Sequence, residues 1–202
     1  VIAIEGNIGS GKTTIGRHLS EKLSLSVYEE LANDYTEELL ANFYEDMVRW
    51  SFTLQVHFLN ERFRKIKEIT HPNSEGGILD RSIYGDQIFA NVLHEDGKMT
   101  NAEHDTYSTL LTNMLEHTPN PTLMVYLRCD VDTVYERIQQ RGRDFEKDIS
   151  KEYLSRLDSH YEKWFKEYNL SPKININTSR YNPTVAIETI VDYLSYFNKE
   201  SA

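Results

Sequence analysis

Residues 1–14, VIAIEGNIGSGKTT, limit what this chain can become more than any other stretch. Val1 to Ile4 are β-branched or small, as a strand buried on both faces requires. Gly6-Asn7-Ile8-Gly9-Ser10-Gly11-Lys12-Thr13 follows at once and reads G-x-x-x-x-G-K-[ST], a phosphate-binding loop. Residues 15–25 then read as a helix, so the loop has the strand-loop-helix context it needs. Three glycines let the main chain turn tightly with its N–H groups facing a polyphosphate, and the helix behind them adds the positive end of its dipole. Lys12 would reach the outer phosphates, the Thr13 hydroxyl would ligate Mg2+, and Thr14 carries the loop into the helix. The ligand class is a nucleoside triphosphate; its fate is decided elsewhere in the chain.

With 202 residues, one α/β domain spanning 1–202 is expected. The 39% hydrophobic and 27% charged content is ordinary for a globular chain, and no apolar run approaches the length that spans a bilayer. No signal peptide is read, and the start at Val1, already inside a strand, suggests a trimmed or partly disordered N-terminus. The single cysteine, Cys129, excludes an internal disulfide and fits a reducing, cytoplasmic setting. A net charge of −10 argues against binding a phosphate backbone across the surface, so nucleic acid is not expected as a partner, and without a spanning apolar run neither is a membrane. Small phosphorylated ligands remain compatible where basic residues gather in one site.

Strands alternating with helices imply a parallel sheet flanked on both faces. Residues 25–28 form a short strand ending in Glu29-Glu30, at the edge where parallel α/β sheets place their ligands. Residues 33–69 are helical, and Phe52, Val56, Leu59, Phe63 and Ile66 mark a core stripe at three- and four-residue intervals. Gln55 and Arg62, seven apart, lie on one side of that helix beside the stripe. A strand at 77–79 leads into Asp80-Arg81-Ser82, followed by a helix over 83–94. Thr100 and Glu103 form a capping box for a helix to about 116. A strand over 122–127, a helix from Asp130 or Asp132 to Gln140, a helix over 150–168, a strand over 173–177 and a helix over 182–197 complete the chain.

Several groups carry chemistry. Asp80 follows an apolar strand, where phosphate-loop proteins present a second acidic residue to the metal; in isolation it would read as a helix N-cap. Arg81 beside it would face anionic substrate groups. Arg137 and Arg141 share a helical face and Arg143 follows across Gly142, so the three resemble a lid closing on a transferring phosphoryl group, although a solvated basic helix end has the same spacing. Glu29 discriminates between acceptors, because a phosphate acceptor would need arginines at this edge and a carboxylate suits a neutral hydroxyl. A Glu near its ordinary pKa of about 4.3 is a weak base for an alcohol and mainly orients the nucleophile. Tyr44, Trp50, Phe52, Phe58 and Phe89 are core candidates that would alternatively line a nucleobase slot.

These blocks together resemble the deoxyribonucleoside kinase family, in its bacterial type, over nearly the whole length. The resemblance rests on EGNIGSGKTT, Tyr28-Glu29, Phe43-Tyr44-Glu45, Arg49 to Gln55, Leu79 to Tyr84 with Asp86, and Arg137 to Arg143 continued by Glu146 and Tyr153. It implies a phosphate-loop NTPase fold with a five-stranded parallel sheet and an Arg-rich lid. It implies that Glu29 acts on the sugar 5′-hydroxyl with Arg81 and Lys12, and that Tyr44 and Glu146 bind the 3′-hydroxyl. Gln55 would pair with the base, in a pocket that Phe43, Leu54, Phe58, Phe89 and Tyr153 complete. Thr13 and Asp80 would organise Mg2+, and residues 6–14 with Arg137, Arg141 and Arg143 would hold ATP. An Arg and Asp at positions 62 and 86 favour deoxyadenosine, deoxyguanosine or deoxycytidine over thymidine, deoxyadenosine first. The family pattern has Glu-Pro-Val where this chain has Glu29-Glu30-Leu31, which leaves Glu29 and Glu30 both open as the base.

The expected activity is therefore an ATP-dependent deoxyribonucleoside 5′-kinase of nucleotide salvage, as a homodimer. Two rivals share the phosphate loop. A nucleoside monophosphate kinase of thymidylate-kinase type is disfavoured by Glu29 and the Asp-Arg-Ser block. A non-catalytic nucleotide switch is disfavoured because the Asn-Lys-x-Asp guanine signature is absent.

Overall fold

A computed structural model describes residues 1–30, 34–180 and 182–200. The apolar run at the start becomes the central strand, because only a strand buried on both faces can use apolar side chains at every position. This strand, β1 (Ile2–Gly6), pairs in parallel with β3 (Ile78–Asp80) on one side and β4 (Leu123–Arg128) on the other. The outer strands β2 (Val27–Tyr28) and β5 (Lys173–Asn177) pair with β3 and β4, giving one parallel sheet in the order β2-β3-β1-β4-β5. Side chains of β1 alternate between faces. Ile2 and Ile4 join Ile15, Leu19, Val125, Leu127 and Ile190 on one side, and Ala3 joins Phe43, Leu54, Phe58, Leu79 and Met124 on the other.

The first of these layers is covered by α1 (Lys12–Leu23) and α8 (Pro183–Glu200). The second is covered by α2 (Asp34–Glu45), α3 (Met47–Ile69), α4 (Gln87–Glu95) and α5 (Asn101–Leu115), while α6 (Val131–Arg141) and α7 (Lys151–Glu167) close the end over the phosphate loop. The capping box at Thr100 and Glu103 forms as the sequence implies. The helical stretch expected over 33–69 is two helices: Asp46 breaks it and caps the second by accepting from the Arg49 N–H at 3.0 Å. The helix expected over 83–94 opens instead with a single 3-10 turn, Ile83–Gly85, before α4. Leu31, part of the departure from the family pattern, lies outside the described residues. Among the described residues, no helix is long and apolar enough to cross a membrane.

The chain visits β2 and β3 on one side of β1, then crosses to β4 and β5 on the other. Ligands of open parallel sheets bind outside the strands' carboxyl ends where the order reverses in this way. Here that crevice lies after β1, where the phosphate loop begins.

Candidate active site

One cavity joins the phosphate loop to the ends of β2 and β3 and to helices α2, α3 and α7. On the loop side, Gly9 has φ +78°, and a Cβ there would sit 2.9 Å from the Val134 carbonyl, so the loop packs against α6 only with glycine at this position. Lys12 donates from Nζ to the carbonyls of Gly6 at 3.0 Å and Asn7 at 2.8 Å. Burial lowers its pKa to about 7, and the Arg81 charge acts in the same direction, against the pull of Asp80 and Glu30. The Thr13 hydroxyl donates to Asp80 Oδ2 at 2.5 Å, while Asp80 Oδ1 is buried with no hydrogen-bond partner among the described residues. Burial raises the Asp80 pKa, opposed by Lys12. A hydroxyl beside a carboxylate with a spare oxygen is the hard donor set that Mg2+ takes with phosphate oxygens, so these residues fit that ion.

Across the cavity, Glu30 is held by two guanidiniums. Arg81 Nε donates to Oε2 at 2.7 Å and Arg62 Nη2 donates to Oε1. Burial pushes the Glu30 pKa up, but Arg81, Arg62 and Lys12 outweigh it and hold the carboxyl at about 2. Arg62 also pairs with Asp86, which stands behind it and does not line the cavity. Glu29 points the other way. Its carboxylate takes a bidentate bond from Arg17 at the rim, at 2.6 and 2.9 Å, and that bond lowers its pKa. Lys65, buried in α3, holds the backbone where β2 ends: its Nζ donates to the main-chain carbonyls of Glu29 at 2.6 Å and Glu30 at 3.4 Å.

Phe43, Tyr44, Leu54, Gln55, Phe58, Phe89 and Tyr153 line the remaining wall. Of the aromatics that were candidates for either role, Tyr44, Phe58 and Phe89 reach the cavity, whereas Trp50 and Phe52 pack against the core. The segment after α6 closes the mouth. Phe145 stacks on Tyr44 with ring centroids 6.3 Å apart, and Glu146 accepts from Arg141 Nε at 3.0 Å and Arg143 Nη1 at 3.4 Å. Arg141, Arg143 and Glu146 thus meet as the lid pattern suggests. Arg137 does not join them, because its guanidinium donates to the carbonyls of Thr178 at 2.6 Å and Gly9 at 3.5 Å and so braces the loop from behind.

Of the residues singled out from sequence, Gly6, Asn7, Ser10, Asp86 and Arg137 do not line the cavity. Asn7 supports it indirectly, donating from Nδ2 to the Leu154 carbonyl of α7 at 2.8 Å. Arg17, Leu40 and Lys65 were missed, as was Tyr161, whose hydroxyl accepts from Arg81 Nη1. A lysine and a tyrosine at core spacing in amphipathic helices carried the only signal for the last two.

The arrangement has a phosphate-binding loop at one end and a guanidinium-held carboxylate at the other, with an apolar slot beside it. Comparison with known proteins agrees. The sequence matches the deoxynucleoside kinase family over residues 2–197. Deoxyadenosine/deoxycytidine kinase of Bacillus subtilis is 35% identical over 203 residues, covering 96% of this chain and 91% of that protein. Deoxyguanosine kinase of Lactobacillus johnsonii is 38% identical over 186 residues, covering 88% of this chain and 81% of that protein. Deoxyadenosine kinase from M. mycoides, solved with bound dCTP, superposes with a TM-score of 0.83 at 30% identity, covering 96% of this chain and 98% of that one. These matches favour a phosphotransferase acting on deoxynucleosides over a monophosphate kinase or a switch, and the chain belongs to the deoxynucleoside kinase family.

Proposed function

We propose that this protein transfers the γ-phosphoryl group of ATP to the 5′-hydroxyl of a deoxynucleoside, with Glu30, rather than Glu29, as the carboxylate that receives the hydroxyl proton. The observation that carries the proposal is the pairing of Glu30 with Arg81 and Arg62 in the cavity that Lys12 and Thr13 also line. The 5′ oxygen attacks the γ-phosphorus, the bond from that phosphorus to the β-phosphate oxygen breaks, ADP leaves, and the proton passes to Glu30. A carboxylate held near pKa 2 is a weak base, so it orients the hydroxyl first and takes the proton late, as a loose phosphoryl-transfer transition state allows. Arg81 keeps Glu30 ionised and aimed. Lys12 and the loop N–H groups offset the charge on the phosphates, and Thr13 and Asp80 would hold Mg2+, which would supply further positive charge against the charge that develops during transfer. Arg141 and Arg143, paired with Glu146 here, would turn to ATP phosphates and release Glu146 to the sugar 3′-hydroxyl.

The base preference proposed is deoxyadenosine first, then deoxyguanosine and deoxycytidine. Gln55 supplies a carboxamide on the cavity wall, and Arg62, held from behind by Asp86, supplies a guanidinium. Deoxyadenosine stands in the names of the M. mycoides kinase and, with deoxycytidine, of the Bacillus subtilis kinase, and deoxyguanosine in that of the Lactobacillus johnsonii kinase, so the three bases belong to one set of acceptors. Steady-state kinetics with ATP and the four natural deoxynucleosides, dAMP and dTMP test both parts. The expected result is the highest kcat/KM for deoxyadenosine and no turnover of monophosphates. Thymidine ranked first would overturn the base preference, and turnover of dTMP alone would overturn the acceptor class.

A further inference from the structure

Glu5 is the one charged residue of β1, and no step proposed above uses it. It is 1% exposed and lies two positions beyond Ala3, so its side chain projects to the face of the sheet that α3 and α7 cover. A carboxylate there must be matched by donors, and three are present. The Ser82 N–H and the Ser82 hydroxyl both reach Oε1 at 2.7 Å, and the Tyr161 hydroxyl reaches Oε2 at 3.4 Å. That same tyrosine oxygen accepts from Arg81 Nη1, while Arg81 Nε donates to Glu30.

Arg81 itself stands in an unusual backbone state. Its φ is +68°, a region that residues with a Cβ seldom occupy unless their surroundings impose it. Those surroundings come from β1. The Arg81 N–H donates to the Ile4 carbonyl at 3.0 Å, and the next peptide is held through the Ser82 N–H by Glu5. Gly85 makes room for this contact, since a Cβ there would lie 2.8 Å from the Glu5 carboxyl carbon. Phe89 lies under the guanidinium, 4.6 Å from Cζ to the ring centroid, which leaves the Arg81 head little freedom except along the line from Tyr161 to Glu30.

We infer that Glu5 is a positioning residue for phosphoryl transfer: it anchors Arg81 through the Ser82 peptide and the Tyr161 hydroxyl, and Arg81 so anchored keeps Glu30 aimed at the phosphate loop. The inference rests on the reading of Glu30 as the proton acceptor. A carboxylate that merely filled a polar pocket would contribute to folding and not to the rate of a step two residues away. Coupling between Glu5 and Arg81 separates these cases.

The test is a double-mutant cycle. Glu5→Gln and Tyr161→Phe are each made in the wild type and in Arg81→Lys, with kcat, both KM values and Tm measured for every variant. Glu5→Gln is expected to lower kcat at least about tenfold while both KM values stay within about threefold, and to cost less than about twofold further in the Arg81→Lys background. Unchanged kcat, or a loss that multiplies in full with that of Arg81→Lys, overturns the inference. Should Glu5→Gln fail to fold, Tyr161→Phe, which removes a single oxygen, decides alone. A several-fold loss of kcat that disappears in Arg81→Lys supports the inference, and an unchanged or fully multiplicative kcat overturns it. Glu30→Gln, measured beside them, isolates the underlying reading: wild-type kcat in that variant would remove Glu30 as the proton acceptor, whatever the cycle shows about Glu5 and Arg81.

Discussion

Glu29 and Glu30 are one peptide apart and face different cations, Arg17 at the rim and the Arg81–Arg62 pair inside. Both line the cavity, but only Glu30 reaches the two guanidiniums inside it. The sequence could not choose between them, because β2 has only two residues and offers no periodicity, and the backbone there is held by Lys65, which is 36 positions away from Glu29. Asp80, by contrast, was legible from its place after an apolar strand. Asp80→Asn is expected to raise the Mg2+ concentration needed for half-maximal rate by about tenfold or more with little change in Tm, read from a Mg2+ titration of the steady-state rate. Glu30 also leaves a signature in stability. Its folded pKa of about 2 lies below the ordinary 4.5, so its contribution is complete above pH 4.5 and is lost as the pH falls toward 2. The loss is on the order of 3 kcal/mol. In urea unfolding followed across that window, Glu30→Gln is expected to flatten the fall seen for the wild type; parallel curves would contradict the ion pairing.

Among the elements, β1, the phosphate loop, the Thr100 capping box and β5 follow from local pattern alone, whereas the buried face of α3 runs through Leu54, Phe58, Leu59, Ile66 and Ile69, and Phe52, Val56 and Phe63 of the expected stripe are only partly buried. The breaks do not. Asp46 looks like an ordinary helix surface residue until the chain turns there, and the 3-10 turn Ile83–Gly85 is set by Glu5 and Ser82, from segments far apart in sequence. Arg137 shows the same limit: its spacing with Arg141 suggests a shared face toward the ligand, but it follows the loop carbonyls instead. Thr100→Ala removes a cap far from the cavity and is expected to cost about 1 kcal/mol in urea unfolding with kcat unchanged. Gly9→Ala strains a positive φ and meets α6, so calorimetry is expected to show ATP binding weakened at least about tenfold; wild-type affinity would mean that the loop does not pack as described.

For the whole molecule, alternation of strands and helices was enough to anticipate a five-stranded parallel sheet, and the loop after β1 was enough to locate the crevice. What required the fold was the meeting at that crevice of β1, the end of β2, the turn after β3, and helices α3 and α7, through which Glu5, Glu30, Arg81, Arg62 and Tyr161 form one charged and hydrogen-bonded group. Sedimentation velocity tests the homodimer expected from the family resemblance: two chains per particle would support it and one would contradict it. The central claim is that one cavity holds ATP on the phosphate loop and the acceptor hydroxyl against Glu30. It is tested most directly by kcat and ATP affinity of Glu30→Gln beside Glu29→Gln. Glu30→Gln is expected to lose kcat by at least about a hundredfold with ATP affinity within about threefold, and Glu29→Gln to stay within about threefold in both. A large loss confined to Glu29→Gln, or full activity in Glu30→Gln, would contradict the account.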